Sequence, residues 1–139
     1  MIIARLAAEL GNYCRKNPIG RALANASYNL TNDDQFEQTP SLSFITNEKG
    51  ALVSEGAAPY MPDLAVEVQS PGQSDKFMVD KAAYYLANGS RMVWLVYPTQ
   101  GIVEILTPKD RRLLNRDGMI EGGDVLPGFT FAVRDLFVE

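Results

Sequence analysis

The sequence predicts an α/β domain, a mixed β-sheet flanked by helices, and three observations carry that expectation. Residues 63–97 read as strand, helix, strand; residues 21–45 read as two strands around a turn; residues 3–13 place apolar side chains at helical spacing. A strand-helix-strand unit makes parallel neighbours through a right-handed crossover, whereas a short turn makes antiparallel ones. Both strand directions are therefore expected in one sheet.

The elements follow in chain order. Ile3, Leu6, Leu10 and Tyr13 form one side of a first helix, which "KNPIG" ends because Pro18 cannot continue it and Gly20 permits a turn. "RALANASYNL" and "FEQTPSLSFI" are the strands of an antiparallel pair joined by "TNDDQ". The loop "TNEKGALVSEGAAPYMP" leads to "DLAVEV", whose apolar density predicts a strand buried on both faces. Ser74 can cap the next helix, with Phe77, Ala82, Tyr85 and Leu86 as its apolar side and Asn88-Gly89 as its stop. "RMVWLVYP" and "GIVEILTP" are two further strands, and the C-terminal third reads as short strands and turns with a last short helix around residues 134–137. Trp94 reads as core. Gly122, Gly123 and Gly128 read as turns, since no lysine-serine pair follows to make a phosphate loop.

Composition narrows the chemistry. The 139 residues, 46% apolar and 22% charged, suit a single domain spanning 1–139, and no run approaches the ~18 apolar residues of a membrane span. The N-terminus carries polar groups every few positions and reads as the first helix rather than a secretion signal. One cysteine, Cys14, allows no internal disulfide, so a reducing, cytoplasmic setting is expected. The absence of histidine removes Ser-His-Asp hydrolysis, His-bound zinc and imidazole proton transfer, leaving carboxylates, lysines or a metal to do any catalysis. A net charge of −4 argues against non-specific coating of nucleic acid, although Lys109, Arg111, Arg112 and Arg116 cluster on a predicted surface turn and are the candidates for phosphate contact. Their simpler reading is a solvated face.

Glu67 stands out because it interrupts an otherwise apolar strand, where a carboxylate is costly unless hydrogen-bonded, paired or bound to a metal. A structural ion pair with Lys81 is the plain explanation. Asp63 begins the same strand after Pro62, where an aspartate commonly accepts hydrogen bonds from nearby amides. The two share a face but lie about 13 Å apart at ~3.3 Å per residue, too far to bind one metal together.

Taken together, "PDLAVEVQSP", Lys81 four residues before Tyr85, Tyr85 four before Gly89, "VWLVYP" and "GGDVLPGF" make the chain resemble the Uma-two family of restriction endonucleases. That family lies within the restriction-endonuclease-like, PD-(D/E)XK nuclease superfamily. The resemblance implies a restriction-endonuclease-like sheet, DNA as the substrate, a homodimer, and two carboxylates on adjacent strands that hold magnesium or manganese. Glu67 matches one of those carboxylates, with the Val68 carbonyl as a further ligand. Gln69 stands where the superfamily usually has its catalytic lysine, and Lys81 matches the family's lysine on the following helix, with Lys76 in reserve. The first acidic ligand, which follows a proline on the hairpin strand, is here Ser41, a neutral and weak magnesium ligand. Glu37, Asp33 and Asp34 lie too far along the chain or in the turn to replace it, and Glu9 reads as solvent-facing. The family's usual strand pair ahead of the first helix is expected to be shortened. The expected function is divalent-metal-dependent DNA cleavage by an activated water, weakened at Ser41; the alternative is an inactive nuclease fold that serves dimerisation or partner or DNA binding.

Overall fold

The structure is a computed structural model that describes residues 2–31, 33–50 and 56–138. Leu6 and Leu10, one turn apart, are fully buried and define the packing side of helix α1 (Ile2–Lys16), while Ile3, on the same side but in the first turn, is 40% exposed. The chain then enters β1 (Gly20–Ala24) and returns in β2 (Leu42–Thr46), antiparallel, with Gly20 opposite Thr46 and Ala24 opposite Leu42. Both strands are shorter than expected, for backbone reasons. Asn25 adopts φ +54°, which turns the chain out of the sheet, and Pro40 has no N–H with which to extend β2. The connection holds one 3₁₀ turn, Asp34–Phe36, capped by the Asp33 carboxylate accepting from Gln35 N.

A short helix α2 (Asn47–Gly50) follows, and the part of the predicted loop at 51–55 lies outside the described residues. β3 (Leu64–Val68) pairs antiparallel with β2 and parallel with β4 (Met92–Tyr97), and α3 (Asp75–Ala87) connects the two parallel strands. The expected crossover is thus present. β5 (Ile102–Leu106) and β6 (Arg111–Leu114) add antiparallel strands, completing a six-stranded sheet in the order β1-β2-β3-β4-β5-β6. A separate ribbon of β7 (Met119–Glu121) and β8 (Thr130–Ala132) precedes α4 (Val133–Leu136).

Strand alternation divides the core into two layers. Leu42, Phe44, Leu64, Val66, Trp94 and Val103 pack with Leu6 and Leu10 on the α1 face, where fully buried Trp94 stacks on Phe129. Ile45, Ala65, Val93 and Leu95 pack on the other face with Met78, Ala82 and Tyr85 of α3. The buried stripe of α3 is therefore 78, 82 and 85. Phe77, expected inside, sits on the flank with Lys81 at 46% exposure, because its helical phase follows 81 rather than 82. Among the described residues no helix is long and apolar enough to cross a membrane.

Candidate functional site

Glu67 points to the α3 face from the middle of the sheet, and its residue is only 6% exposed. Two side chains of α3 reach it. Tyr85 OH donates to Oε2 at 2.7 Å and Lys81 Nζ lies 3.2 Å from the same oxygen. Positions 81 and 85 are one turn apart, so one helix face delivers both groups to one carboxylate. Ser74 fixes where that face begins, its hydroxyl accepting from Phe77 N at 3.0 Å. Among the described residues nothing hydrogen-bonds Oε1.

The electrostatics of the pair are unequal. Burial pushes the Glu67 carboxyl above its ordinary value, and the Tyr85 hydrogen bond and the Lys81 charge pull it only part of the way back. The same burial, with the carboxylate beside it, drives the Tyr85 hydroxyl far up, so it stays a donor at any ordinary pH.

The sheet register places the remaining predicted residues. Leu42 opposes Val66 and Ser43 opposes Ala65, so one residue beyond the ladder Ser41 stands across from Glu67 on the same face. The paired ladder itself ends at Leu42–Val66, and Ser41 lies in the bend just before it. The next step of the register sets Val68 against Pro40, which has no N–H to offer the Val68 carbonyl. Gln69 N donates to Val96 O, and in a planar trans peptide the Val68 carbonyl points the opposite way, toward the β2 side and Ser41.

The other candidates are placed elsewhere. Gln69 spends its amide on Gln73 O and the Asp75 carboxylate, bracing the turn into α3 rather than touching Glu67. Lys76 pairs with Asp80 on the surface of the helix. Glu9 belongs to α1, whose buried side packs against the opposite face of the sheet, so it cannot stand in for a missing ligand. Glu37 is exposed. Lys109, Arg111, Arg112 and Arg116 do not share one surface turn. Two of them lie on β6, and strand alternation sends Arg111 to the buried carboxylate of Glu104 and Arg112 to Glu121 on the β7 ribbon, while Arg116 covers the ring of Phe137.

Two buried carboxylates were underread in the sequence. Asp63 accepts from Thr46 N at 3.0 Å, as a strand-start aspartate should, but it also meets Arg91 Nε at 3.1 Å and Lys49 Nζ at 3.5 Å. Glu104, 5% exposed on the Glu67 face, pairs with Arg111 and lies 3.5 Å from Tyr97 OH, whose pKa burial and that carboxylate push up to about 12. Its signal was an acidic residue inside "GIVEILTP", the same interruption that marked Glu67.

As a donor set, Glu67 Oε1, the Ser41 hydroxyl and the Val68 carbonyl are all hard oxygens, which suits magnesium or manganese. Among the described residues no three His, Cys, Asp or Glu side chains converge into a cage. Magnesium commonly keeps several waters and is completed by substrate phosphates, so this partial set still fits the group.

The family described as "Uma2: Putative restriction endonuclease" matches residues 1–134. No curated protein matches the chain. A solved structure described as a "putative nuclease belonging to DUF820", from Anabaena variabilis, superposes with a TM-score of 0.83 at 20% identity, over 98% of this chain and 78% of that one. At that identity the likeness establishes the fold.

Proposed function

The chain belongs to the Uma2 family, and from that premise we propose that it cleaves DNA phosphodiesters at the Glu67–Lys81 site. Family and fold together support a nuclease-like function. The observation that carries the finer reading is a sheet-borne carboxylate and a helix-borne lysine 3.2 Å apart, the second carboxylate oxygen having no hydrogen-bond partner among the described residues. A bound divalent cation would supply charge for the phosphate and lower the pKa of an attacking water. Within the chain, Glu67 would hold that cation, with the Val68 carbonyl and the Ser41 hydroxyl beside it. Lys81, held against Oε2, is within reach of a water or a phosphate oxygen at the same place, and Tyr85 keeps the carboxylate oriented. Ser41 contributes no charge, so the site operates one carboxylate short and turnover is slow. The working setting is a cytoplasmic homodimer on DNA; Arg111, Arg112 and Arg116, spent on Glu104, Glu121 and the Phe137 ring, form no joint backbone-contact patch with Lys109.

The test is nicking of supercoiled plasmid with magnesium or manganese. The expected order is Ser41→Asp faster than the natural chain, and Glu67→Gln inactive. No cleavage by either the natural chain or Ser41→Asp would reject the reading. Serine rather than a carboxylate at position 41, with no cluster of three ligating side chains among the described residues, specifically favours one alternative, a binding protein that keeps the fold without the chemistry. It predicts no manganese binding by calorimetry in the natural chain and a gain of binding in Ser41→Asp.

A further inference from the structure

Beside Lys81 the surface opens into a cleft of ≈ 350 Å³ lined by Phe36, Gln38, Phe77, Asp80, Lys81 and Tyr84. Its walls are aromatic, and the aromatics are exposed. Phe36 is 40% and Phe77 46% exposed, and neither is needed by the core layer that α3 forms with the sheet. Phe36 lies parallel to the Tyr84 ring, centroids 6.5 Å apart and planes 15° from parallel, so the 3₁₀ turn and α3 together present one π surface. On the opposite flank Lys81 Nζ sits 5.7 Å from the Phe77 centroid while also contacting Glu67. A group stacked on Phe77 is thus next to the cation of the candidate site.

We propose that this cleft takes an unpaired nucleobase, and that the ligand of the protein is single-stranded DNA. The inference rests on the nucleic-acid reading above and adds the strand state. Aromatic faces bind bases by stacking, which requires a base whose own face is free; in a duplex both faces are covered by neighbours. The cleft also carries what a base edge and backbone need. Gln38 offers an amide donor and acceptor, and Lys81 offers a cation where the phosphate beside a stacked base enters the Glu67 site. Continuity with that site, through Lys81, distinguishes the cleft from an isolated apolar patch.

The experiment is a fluorescence-anisotropy titration of a fluorescein-labelled single-stranded 12-mer and its duplex, in EDTA so that no cleavage occurs. The natural chain should bind the single strand at least ~10-fold more tightly, and Phe77→Ala or Phe36→Ala should weaken that binding ~5-fold or more, while duplex binding stays unchanged. Phe77→Trp should retain it. Because both rings are solvent-facing, the variants should melt within a few degrees of the natural chain, and circular dichroism checks this. Equal affinity for single strand and duplex, or full affinity in Phe77→Ala, overturns the proposal. So does loss of a dimer in Phe77→Ala by sedimentation, which would make the cleft an interface between copies. A chain that binds single strands by these rules yet, with magnesium or manganese, cleaves neither plasmid nor the single-stranded 12-mer would sink the cleavage reading and leave this one standing; cleavage without single-strand preference would do the opposite.

Discussion

Tyr85→Phe removes one hydroxyl from a fully buried ring and leaves the shape of the core intact, so it isolates what the Tyr85 hydrogen bond does for Glu67. A buried hydrogen bond to a charged acceptor contributes about 1.5–3 kcal/mol, and at 2.7 Å the middle of that range, about 2 kcal/mol, is expected at pH 7. Because the hydroxyl serves the ionised carboxylate, the loss also appears as a further rise in the Glu67 pKa. Urea denaturation of the two proteins at pH 7 and near pH 4 checks both parts. The difference should be about 2 kcal/mol at pH 7 and below about 1 kcal/mol at the acid pH, where the carboxyl is protonated. A variant within ~0.5 kcal/mol of the natural chain at pH 7, or a loss identical at the two pH values, would refute the reasoning.

Three further outcomes follow from other features. Burial holds the Glu67 proton more tightly in the folded chain than in the unfolded one, so the stability that protonation contributes is complete below about 4.5 and is lost as pH rises through the raised folded value. Glu67→Gln escapes that loss, so its stability relative to the natural chain should climb with pH across the same window; a flat or falling difference in denaturant titrations contradicts a burial-dominated carboxyl. Gly20→Ala would place a Cβ 2.2 Å from Ile45 O and 2.6 Å from the Phe44 ring, forcing β1 away from β2 at a cost of about 1–3 kcal/mol. An unchanged melting temperature would show the approach is less close. Arg111→Met leaves Glu104, among the described residues, with the long Tyr97 contact, and the exposure of Arg111 sets the loss at ~1 kcal/mol, measured by thermal melts at pH 7 and expected to shrink in high salt.

Periodicity made the crossover readable, because the strand residues 64–68 and 92–97 are apolar on both faces and Ser74 and Asn88-Gly89 bracket the helix between them. Glu67 and Lys81 were readable for a related reason, since a charge amid buried apolar residues demands a partner. What stayed hidden were facts of register and phase. Nothing local says that Tyr85 meets Glu67, that Asp63 gathers Lys49 and Arg91 from two other elements, or that Arg111 and Arg112 part to opposite faces. Phe77 misled because an apolar residue on a helix reads as core unless its angle to the buried stripe is known. Strand ends at Ala24 and Leu42 depended on one left-handed asparagine and one missing amide, details that propensity over a window averages away.

The carboxylate and lysine of the site come from a single strand-helix-strand stretch, whereas Ser41 arrives from the outer hairpin. Those two parts need not open together. Cooperative units of a native protein loosen at different free energies, and Ser41, in the bend just past the β2–β3 ladder and bonded by its carbonyl to Asn25 beyond the edge strand β1, yields before residues inside a ladder paired on both sides. Amide exchange should therefore sort the site into a slow half and a fast half. The position across from Glu67 is then a moving part, fraying outward with the hairpin while the pair beneath α3 stays assembled, and any charge introduced there would be present only for the fraction of time that the sheet margin is closed.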